Sequence, residues 1–439
     1  MRPSTITTKY IILSIYLSVF ARERGDGIKK RAEACHANVG NQAGGEKAKG
    51  KEITIMKIVF NRQAISDAIA PLMCAVSTKA TQPAAEGILL DAREDQTCLM
   101  TTFDLEKGMR LSVSAQVDEP GIAIINAQKF QQTLRVMDGE FVTLTVDENY
   151  KACISRGKSN HKMNALAGSE YPNVPNLVTP DGFVIGQAIL RAMLGKVMYA
   201  MATNDQRPVL NGCYCKVCEG KLTMVSCDSF KLAKSVASAD IENKNEDNSA
   251  LNFSFIIPTK TVNELYKLLK DDERESVRIY LTRRTIVFNI GDMTFFSRLI
   301  EGQYIEYDRI ILKTHRIFAI ADRDALISAL ERAALITEEK VTGSVRSHVK
   351  LLFEDHLLKV SAVSAMGSTY DELEVDHEGD DLLIAFNNRY LIDSLRACNA
   401  EKVRISMTSA LTSINIEPAA AEEGDDEELF MLLPVRMKE

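Results

Sequence analysis

The sequence predicts an α+β protein built from three similar domains, each with two helices packed on antiparallel sheets. Three observations predict it. One strand–cap–helix pattern occurs three times, as IAIINAQKFQQTL (122–134), FSFIIPTKTVNELYKLL (253–269) and LLIAFNNRYLIDSL (382–395), with its cap positions Asn126, Pro258 and Asn387 spaced 132 and 129 residues apart. A second strand–helix pattern alternates with the first, as KIVFNRQAISDAI (57–69), FVIGQAILRAML (183–194) and RIFAIADRDALISAL (316–330). Behind each helix come runs that alternate apolar and polar residues with period two, as half-buried hairpin strands do. Each domain therefore holds the same strand–helix–strands unit twice, six units in all.

In the first domain, 56–178, KIVF is a strand and 62–77 a helix, with Pro71 placed to end or kink it. GILLDA pairs with CLMTTF. The second unit has a helix over 126–137, then EFVTLTV with KACIS. A break at Tyr171–Gly182 (YPNVPNLVTPDG) leads to the second domain, 182–306, with helices over 187–202 and 258–270 and the pair ESVRIYL with TIVFNI. After a further break at Tyr304–His315, the third domain, 315–439, has helices over 322–337 and 387–398. Its strand pairs are HVKLLF with LLKVSAV and EKVRISM with TSINI.

Residues 1–55 stand apart. The apolar run 10–21 spans about 12 residues, where a bilayer needs about 20. Lys9 before it and Ala21 behind it give it a signal-peptide look. The polar, Gly/Lys/Glu-rich stretch Arg22–Glu52 that follows reads as disordered and argues against export. GEKAKGKE just before Met56 uses residues with purine-rich codons, as a ribosome-binding site read in frame would. Met56 thus reads as the natural start, and 1–55 as a mis-called extension. Peptides from 1–55 found by mass spectrometry of the native protein refute this.

A chain of 439 residues with 46% hydrophobic and 26% charged residues is of ordinary globular composition. A net charge of −7 excludes a uniformly basic nucleic-acid binder, but not one with its charge sorted to one face. The charge is sorted by element. The six expected helices sum to +6, while everything else in 56–439 sums to −18. Helices sharing one face would attract phosphate while the rest repels it. With no Trp and no basic stripe interleaved with aromatics, contact would be with backbone charge, without sequence preference. Nine cysteines, an odd count, suggest free thiols in a reducing compartment.

Catalytic signatures are sparse. Cys213-Tyr-Cys215-Lys-Val-Cys218 contains one CxxC but no second ligand pair, and strand alternation puts Cys213, Cys215 and Val217 together as small core residues. P-loop, GxGxxG, HExxH and GxSxG patterns are missing from the sequence. His161, His315 and His348 fall in strand or linker contexts, and the acidic run Glu422–Glu428 reads as a solvated loop. The closing LFMLLPVRMKE reads as a last strand. Pro434 sits where an edge tolerates it, and Met431, Leu433 and Val435 could leave a pocket for a partner's peptide. Two readings are open on this basis: a metal- or thiol-dependent enzyme built around Cys213–Cys218, and a repeat scaffold that binds peptides.

Over 56–439 the chain resembles the bacterial sliding clamp family, the beta subunit of DNA polymerase III. The resemblance rests on MKIVF at 56–60, LNG at 210–212, SCDSFKLA at 226–233, EGQYIEYDR at 301–309 and PVRM at 434–437, in that order on a threefold repeat. It implies three clamp-type domains and a head-to-tail homodimer, first domain to third, that closes as a six-domain ring around double-stranded DNA with helices lining the hole. It also implies no active site and no cofactor. The expected partners are the replicative polymerase alpha subunit, the ATP-dependent clamp loader through its delta subunit, translesion polymerases, mismatch repair proteins and DNA ligase. The expected place is the cytoplasm, on the nucleoid, away from membrane.

The same resemblance implies a pocket for short partner motifs with a Gln and apolar anchors, between the second and third domains. Its residues here are Leu210; Cys227, Ser229, Phe230, Lys231 and Leu232; Ile305, Arg309 and Ile310; Leu411 and Ser413; and Met431, Leu433, Pro434, Val435 and Arg436. Cys227, Phe230, Lys231 and Ile305 depart from the commoner Thr, His, Arg and Pro, and Lys for Arg loses a planar fork of donors. Lys79, Arg191, Lys196, Asn204 and Arg207 are the implied DNA-facing residues, with Pro208 and Val209 where a related clamp has aromatics. Lys129 and Met163 would face Leu335, Ile336, Asp371 and Glu372 across the dimer interface.

Overall fold

In a computed structural model the described residues are 54–78, 82–177, 182–238, 241–245, 250–337, 348–365, 367–420 and 426–437. The expected tail 1–55 lies almost wholly outside them, as does much of the acidic run.

The first domain runs β1 (Thr54–Asn61), α1 (Arg62–Leu72), β2 (Gly87–Ala92), β3 (Thr97–Phe103), β4 (Lys107–Ser114), β5 (Gln116–Glu119), β6 (Gly121–Asn126), α2 (Ala127–Val136), β7 (Phe141–Asp147), β8 (Lys151–Arg156) and β9 (Ser159–Ala167). The second runs β10 (Gly182–Gly186), α3 (Gln187–Val197), β11 (Gly212–Cys218), β12 (Lys221–Cys227), β13 (Lys231–Ser238), β14 (Glu242–Asn243), β15 (Asn252–Pro258), α4 (Thr259–Leu268), β16 (Ser276–Leu281), β17 (Thr285–Ile290) and β18 (Met293–Arg298). The third runs β19 (Ile317–Asp322), α5 (Arg323–Thr337), β20 (Val349–Glu354), β21 (Leu357–Ser364), β22 (Gly367–Glu374), β23 (Asp376–Glu378), β24 (Leu382–Phe386), α6 (Asn388–Ala397), β25 (Lys402–Met407), β26 (Ile414–Pro418) and β27 (Glu427–Leu432).

The helices start where side-chain caps allow. Asn61 Oδ1 accepts the N–H groups of Gln63 and Ala64, both at 3.0 Å, and Asn126 Oδ1 accepts that of Lys129 at 3.0 Å. The expected helices 62–77 and 187–202 are shorter as α-helix. One residue after Pro71, α1 passes into a 3₁₀ turn at Met73–Ala75, and α3 does the same at Met198–Ala200.

The two units of each domain exchange their first strands, which local sequence does not reveal. β1 pairs with β7 and β6 with β2; β10 pairs with β16 and β15 with β11; β19 pairs with β25 and β24 with β20. One bond repeats at each exchange. The first N–H of α1, α3 and α5 (Arg62, Gln187, Arg323) donates to the carbonyl of Glu140, Glu275 and Glu401 at 2.7, 2.9 and 2.9 Å. A helix of one unit is thereby fastened to the strand start of the other, using a donor no helix can satisfy internally.

Domains join through main-chain ladders. β4 pairs antiparallel with β18 at the first seam, and β13 with β27 at the second. The sheets so formed have 14 and nine strands, leaving β22-β21-β20-β24 as a separate four-stranded sheet. Beside one extended core, an apolar satellite cluster lies at each seam. At the first seam Phe103 and Phe296 rings sit 5.7 Å apart, and Gly108 leaves room for Phe296, since a Cβ there would stand 2.2 Å from its Cζ.

Candidate functional site: the seam between the second and third domains

The site is organised by the turn between β12 and β13. Asp228 Oδ1 accepts the N–H groups of Phe230 and Lys231, both at 3.0 Å, and its second oxygen pairs with Lys231 Nζ. This bonding holds Ser229 at φ +79° and turns Phe230 outward, 56% exposed. The first seam carries the same turn. There Asp104 accepts from Glu106 and Lys107, pairs with Lys107 at 2.6 Å and holds Leu105 at φ +77°. Even the crossing bonds match, with Leu433 N–H donating to Phe230 O at 2.9 Å and Arg298 N–H to Glu106 O at 2.8 Å. The turns differ in what they present: Glu106, ion-paired with Lys260 at 3.1 Å, or apolar Phe230.

Beside Phe230, Leu210, Cys227, Leu232 and Met431 are buried in one apolar cluster with Val225, Ile256 and Tyr304, and Ile305 packs against them half-buried. Ile310, Leu433 and Val435 are exposed, as is Leu411 at 71%, while Ser413 is buried just before β26. Tyr390, in the first turn of α6, links the two domains: its ring centroid lies 6.3 Å from that of Phe230 and 4.6 Å from Lys231 Nζ. Past β27 the chain runs through Pro434 to β24, where Val435 N–H donates to Ala385 O at 2.7 Å. Arg309 is ion-paired with Glu306 at 2.6 Å on a single helical turn, Tyr307–Ile310, and Arg436 is exposed. Burial pushes the Cys227 thiol up, and the neighbouring Asp228 acts in the same direction.

The residues expected to face DNA are differently engaged. Lys79 lies outside the described residues. Arg191 closes the C-terminal end of α4, donating to Tyr266 O and, at 3.3 Å, to Leu269 O, with its guanidinium 4.1 Å above the Tyr266 ring. Lys196 pairs with Glu428 at 2.6 Å across the seam, the side chains 12% and 11% exposed, so its charge is spent inside the protein. Arg207 is held by both oxygens of Asp205 and by Ser229 Oγ; the bond to Arg207 keeps the Asp205 carboxyl below its usual range. Asn204 is exposed at φ +59°. Among the described residues the exposed helix cations are instead Lys129 and Arg135 on α2, Lys260 and Lys267 on α4, Arg332 on α5 and Arg389 and Arg396 on α6, with exposed Lys270 just past the end of α4. Surface pairs such as Lys267–Glu264 hold such charges only weakly.

The residues expected at a subunit interface occupy two places. On the third domain Leu335 is 75% exposed on α5 beside half-buried Ile336. Arg332 holds Asp371 of β22 at 2.8 Å, and Glu372 is exposed on the same strand. On the first, Lys129 is exposed on α2 and Met163 is half-buried on β9. In the tempting cysteine motif, β11 turns Cys213, Cys215 and Val217 inward, all buried. Among the described residues no group of three or more His, Cys, Asp or Glu could hold a metal, and no helix is long and apolar enough to cross a membrane.

Tyr390, Asp228 and Glu428 were missed by reading the sequence alone. For Asp228 a signal existed, because Asp-x-x-Lys recurs at 104–107 and 228–231.

Three domains of one design, joined by shared sheets, with an apolar cluster at each seam, define a clamp-type chain. Comparison with known proteins gives the same answer in detail. Three family profiles match in tandem: the DNA polymerase III beta subunit N-terminal domain over 56–175, its central domain over 184–306 and its C-terminal domain over 308–431. The beta sliding clamps of Staphylococcus aureus and Staphylococcus epidermidis are each 26% identical over 392 residues, spanning 87% of this chain and all of theirs. The DNA polymerase sliding clamp of Bacillus subtilis superposes with a TM-score of 0.80 at 25% identity, and a sliding clamp of Pseudomonas aeruginosa bound to griselimycin with 0.76 at 26%. Each match covers 87% of this chain and all of the other. The chain belongs to the DNA polymerase III beta subunit family, whose members serve replication as processivity factors.

Proposed function

We propose that two copies close head to tail into a ring that encircles duplex DNA, slides without sequence preference and tethers polymerases through a docking site around Phe230. The observation that carries this is the rule of the seams. At both, the fourth strand of a domain (β4, β13) pairs with the last strand of the next domain (β18, β27). By that rule β22 should pair with β9. Among the described residues β22 pairs only with β21, and β9 meets β6 only through Ala165–Ala167, leaving 159–164 with one edge open. A second copy supplies both missing partners. Charge favours the match, because β22 carries Asp371, Glu372 and Glu374 where β9 carries His161 and Lys162. Leu335 and Ile336 opposite Lys129 and Met163 would complete the interface.

Topological linkage replaces tight DNA contact. A closed ring leaves duplex only over an end, so a tethered enzyme stays at high effective concentration on its template. The structure's own use of Arg191, Lys196 and Arg207 suits this, since sliding requires loosely held phosphates, which α2, α4 and α6 are charged to meet. The docking site, with its apolar cluster and the aromatic pair Phe230–Tyr390, suits short peptides with apolar anchors. The replicative polymerase alpha subunit, the delta subunit of an ATP-driven loader, translesion polymerases, mismatch repair proteins and DNA ligase are the proposed visitors, in the cytoplasm on the nucleoid. The reading assigns the chain no chemistry of its own.

The test has two arms. Native mass spectrometry should give twice 48.7 kDa. Protein loaded on nicked circular DNA should be retained, and should be lost when the circle is cut. Equal retention on circle and linear DNA would refute encirclement and favour a peptide-binding scaffold.

A further inference from the structure

We propose that a cavity in the second domain, adjoining the docking site proposed around Phe230, is an accessory subsite for partner peptides, taking an aromatic side chain with an acidic neighbour. The inference rests on the peptide-docking reading above and names the chemistry that longer partners would carry.

The cavity, 620 Å³, lies in the second domain between β15 and the chain that leaves β18. That volume is ample for one large side chain. Three tyrosines build its wall: Tyr214 stacks on Tyr304 with centroids 5.1 Å apart and planes 18° apart, and tilts against Tyr307 at 5.9 Å. Ile256 and Ile300 line its base, tied by Ile300 N–H donating to Ile256 O at 3.0 Å. An aromatic guest fits such walls in offset or edge-on geometry.

Continuity with the proposed docking site is direct. Tyr304 and Ile305 pack in the same apolar cluster as Leu210, Cys227 and Met431 and also line the cavity. The rim between the two is held close: Gly302 sits at φ +139°, and a Cβ there would stand 2.9 Å from Val209 Cγ1, next to Leu210. Charge selects the neighbour of the aromatic. Glu301 at the rim is neutralised by Arg284 at 2.8 Å, whereas exposed Arg283, also at the rim, makes no ion pair among the described residues. A carboxylate beside the aromatic meets that unspent charge.

The experiment uses fluorescence anisotropy with three labelled peptides: a core of Gln and apolar anchors, and the same core extended at either end by a short linker and an Asp-Tyr pair. The proteins are the unmodified chain, Arg283→Glu and Ser254→Trp. Both changes are at exposed cavity positions outside the proposed docking site, and the tryptophan fills the space. The core peptide should bind all three alike. One extended peptide should bind the unmodified protein about tenfold tighter, the scale of one well-placed aromatic contact, and both variants should lose the gain. No gain from either extension, or a gain that survives in either variant, overturns the subsite alone. Failure of the core peptide to bind the unmodified protein overturns the docking reading and the subsite with it.

Discussion

Replacing Leu335 by Lys should separate ring closure from folding. The side chain is 75% exposed on α5, so the isolated chain loses little by the change. In the proposed ring it would be covered. Fully burying a leucine is worth about 1.5–3 kcal/mol, so three-quarters of that is roughly 1–2 kcal/mol at each interface. A two-copy ring has two such interfaces, which brings the loss to about 2–4 kcal/mol. An ammonium pressed into an apolar contact adds at least about 1 kcal/mol per interface unless it escapes to water. Together these weaken the dimer by roughly three orders of magnitude or more. Sedimentation velocity at low-micromolar protein should show the parent at twice 48.7 kDa and the variant at 48.7 kDa, with matching circular dichroism and thermal melts. A dimer that survives in the folded variant would refute the placement of Leu335 at the interface. A parent that sediments as a monomer would remove the ring itself.

Other outcomes follow from single contacts. Gly108→Val should cost about 2–4 kcal/mol in urea unfolding, because the new side chain must displace Phe296 from the first seam; an unchanged midpoint would mean the seam yields freely. Lys196→Ala should cost about 3 kcal/mol by leaving Glu428 charged and buried, and a Lys196→Met, Glu428→Leu double variant should recover most of it. A double-mutant cycle showing no coupling would contradict the pairing. Burial raises the Glu417 carboxyl, against the pull of Arg404 and His315. The folded protein therefore keeps a proton there after the unfolded chain has released it, and stability falls as pH rises through that window. Glu417→Gln should raise the urea midpoint at neutral and alkaline pH and leave it unchanged in acid below the ordinary carboxylate range. A benefit that is the same at every pH would exclude ionisation as its source.

Much of this architecture can be read along the chain because its signals are local. Cap residues such as Asn126 and period-two runs such as Val142, Leu144 and Val146 depend only on neighbours, and their elements form where expected. Strand exchange between units is not local: β1 meets β7 after some eighty residues of intervening chain, and nothing in KIVF distinguishes that partner from β2. The proposed docking site divides the same way. Its apolar members stand out in LNG, SCDSFKLA and the closing strand, but Tyr390 reads as one more residue of an amphipathic helix until α6 is set beside the β12–β13 turn. Lys196 shows the opposite error. On its helix it is a free basic residue, and only the arrival of Glu428 from the far end of the chain consumes its charge.

The seams also dictate how such an assembly must come apart. Within one chain both junctions are continuous hydrogen-bonded ladders backed by peptide linkage, so bending between domains must break main-chain hydrogen bonds. In the proposed ring the joints between copies would have neither covalent continuity nor a linker to limit their travel. Mechanical load on such a ring would therefore concentrate where β22 of one copy meets β9 of the other, which would make that joint the parting line.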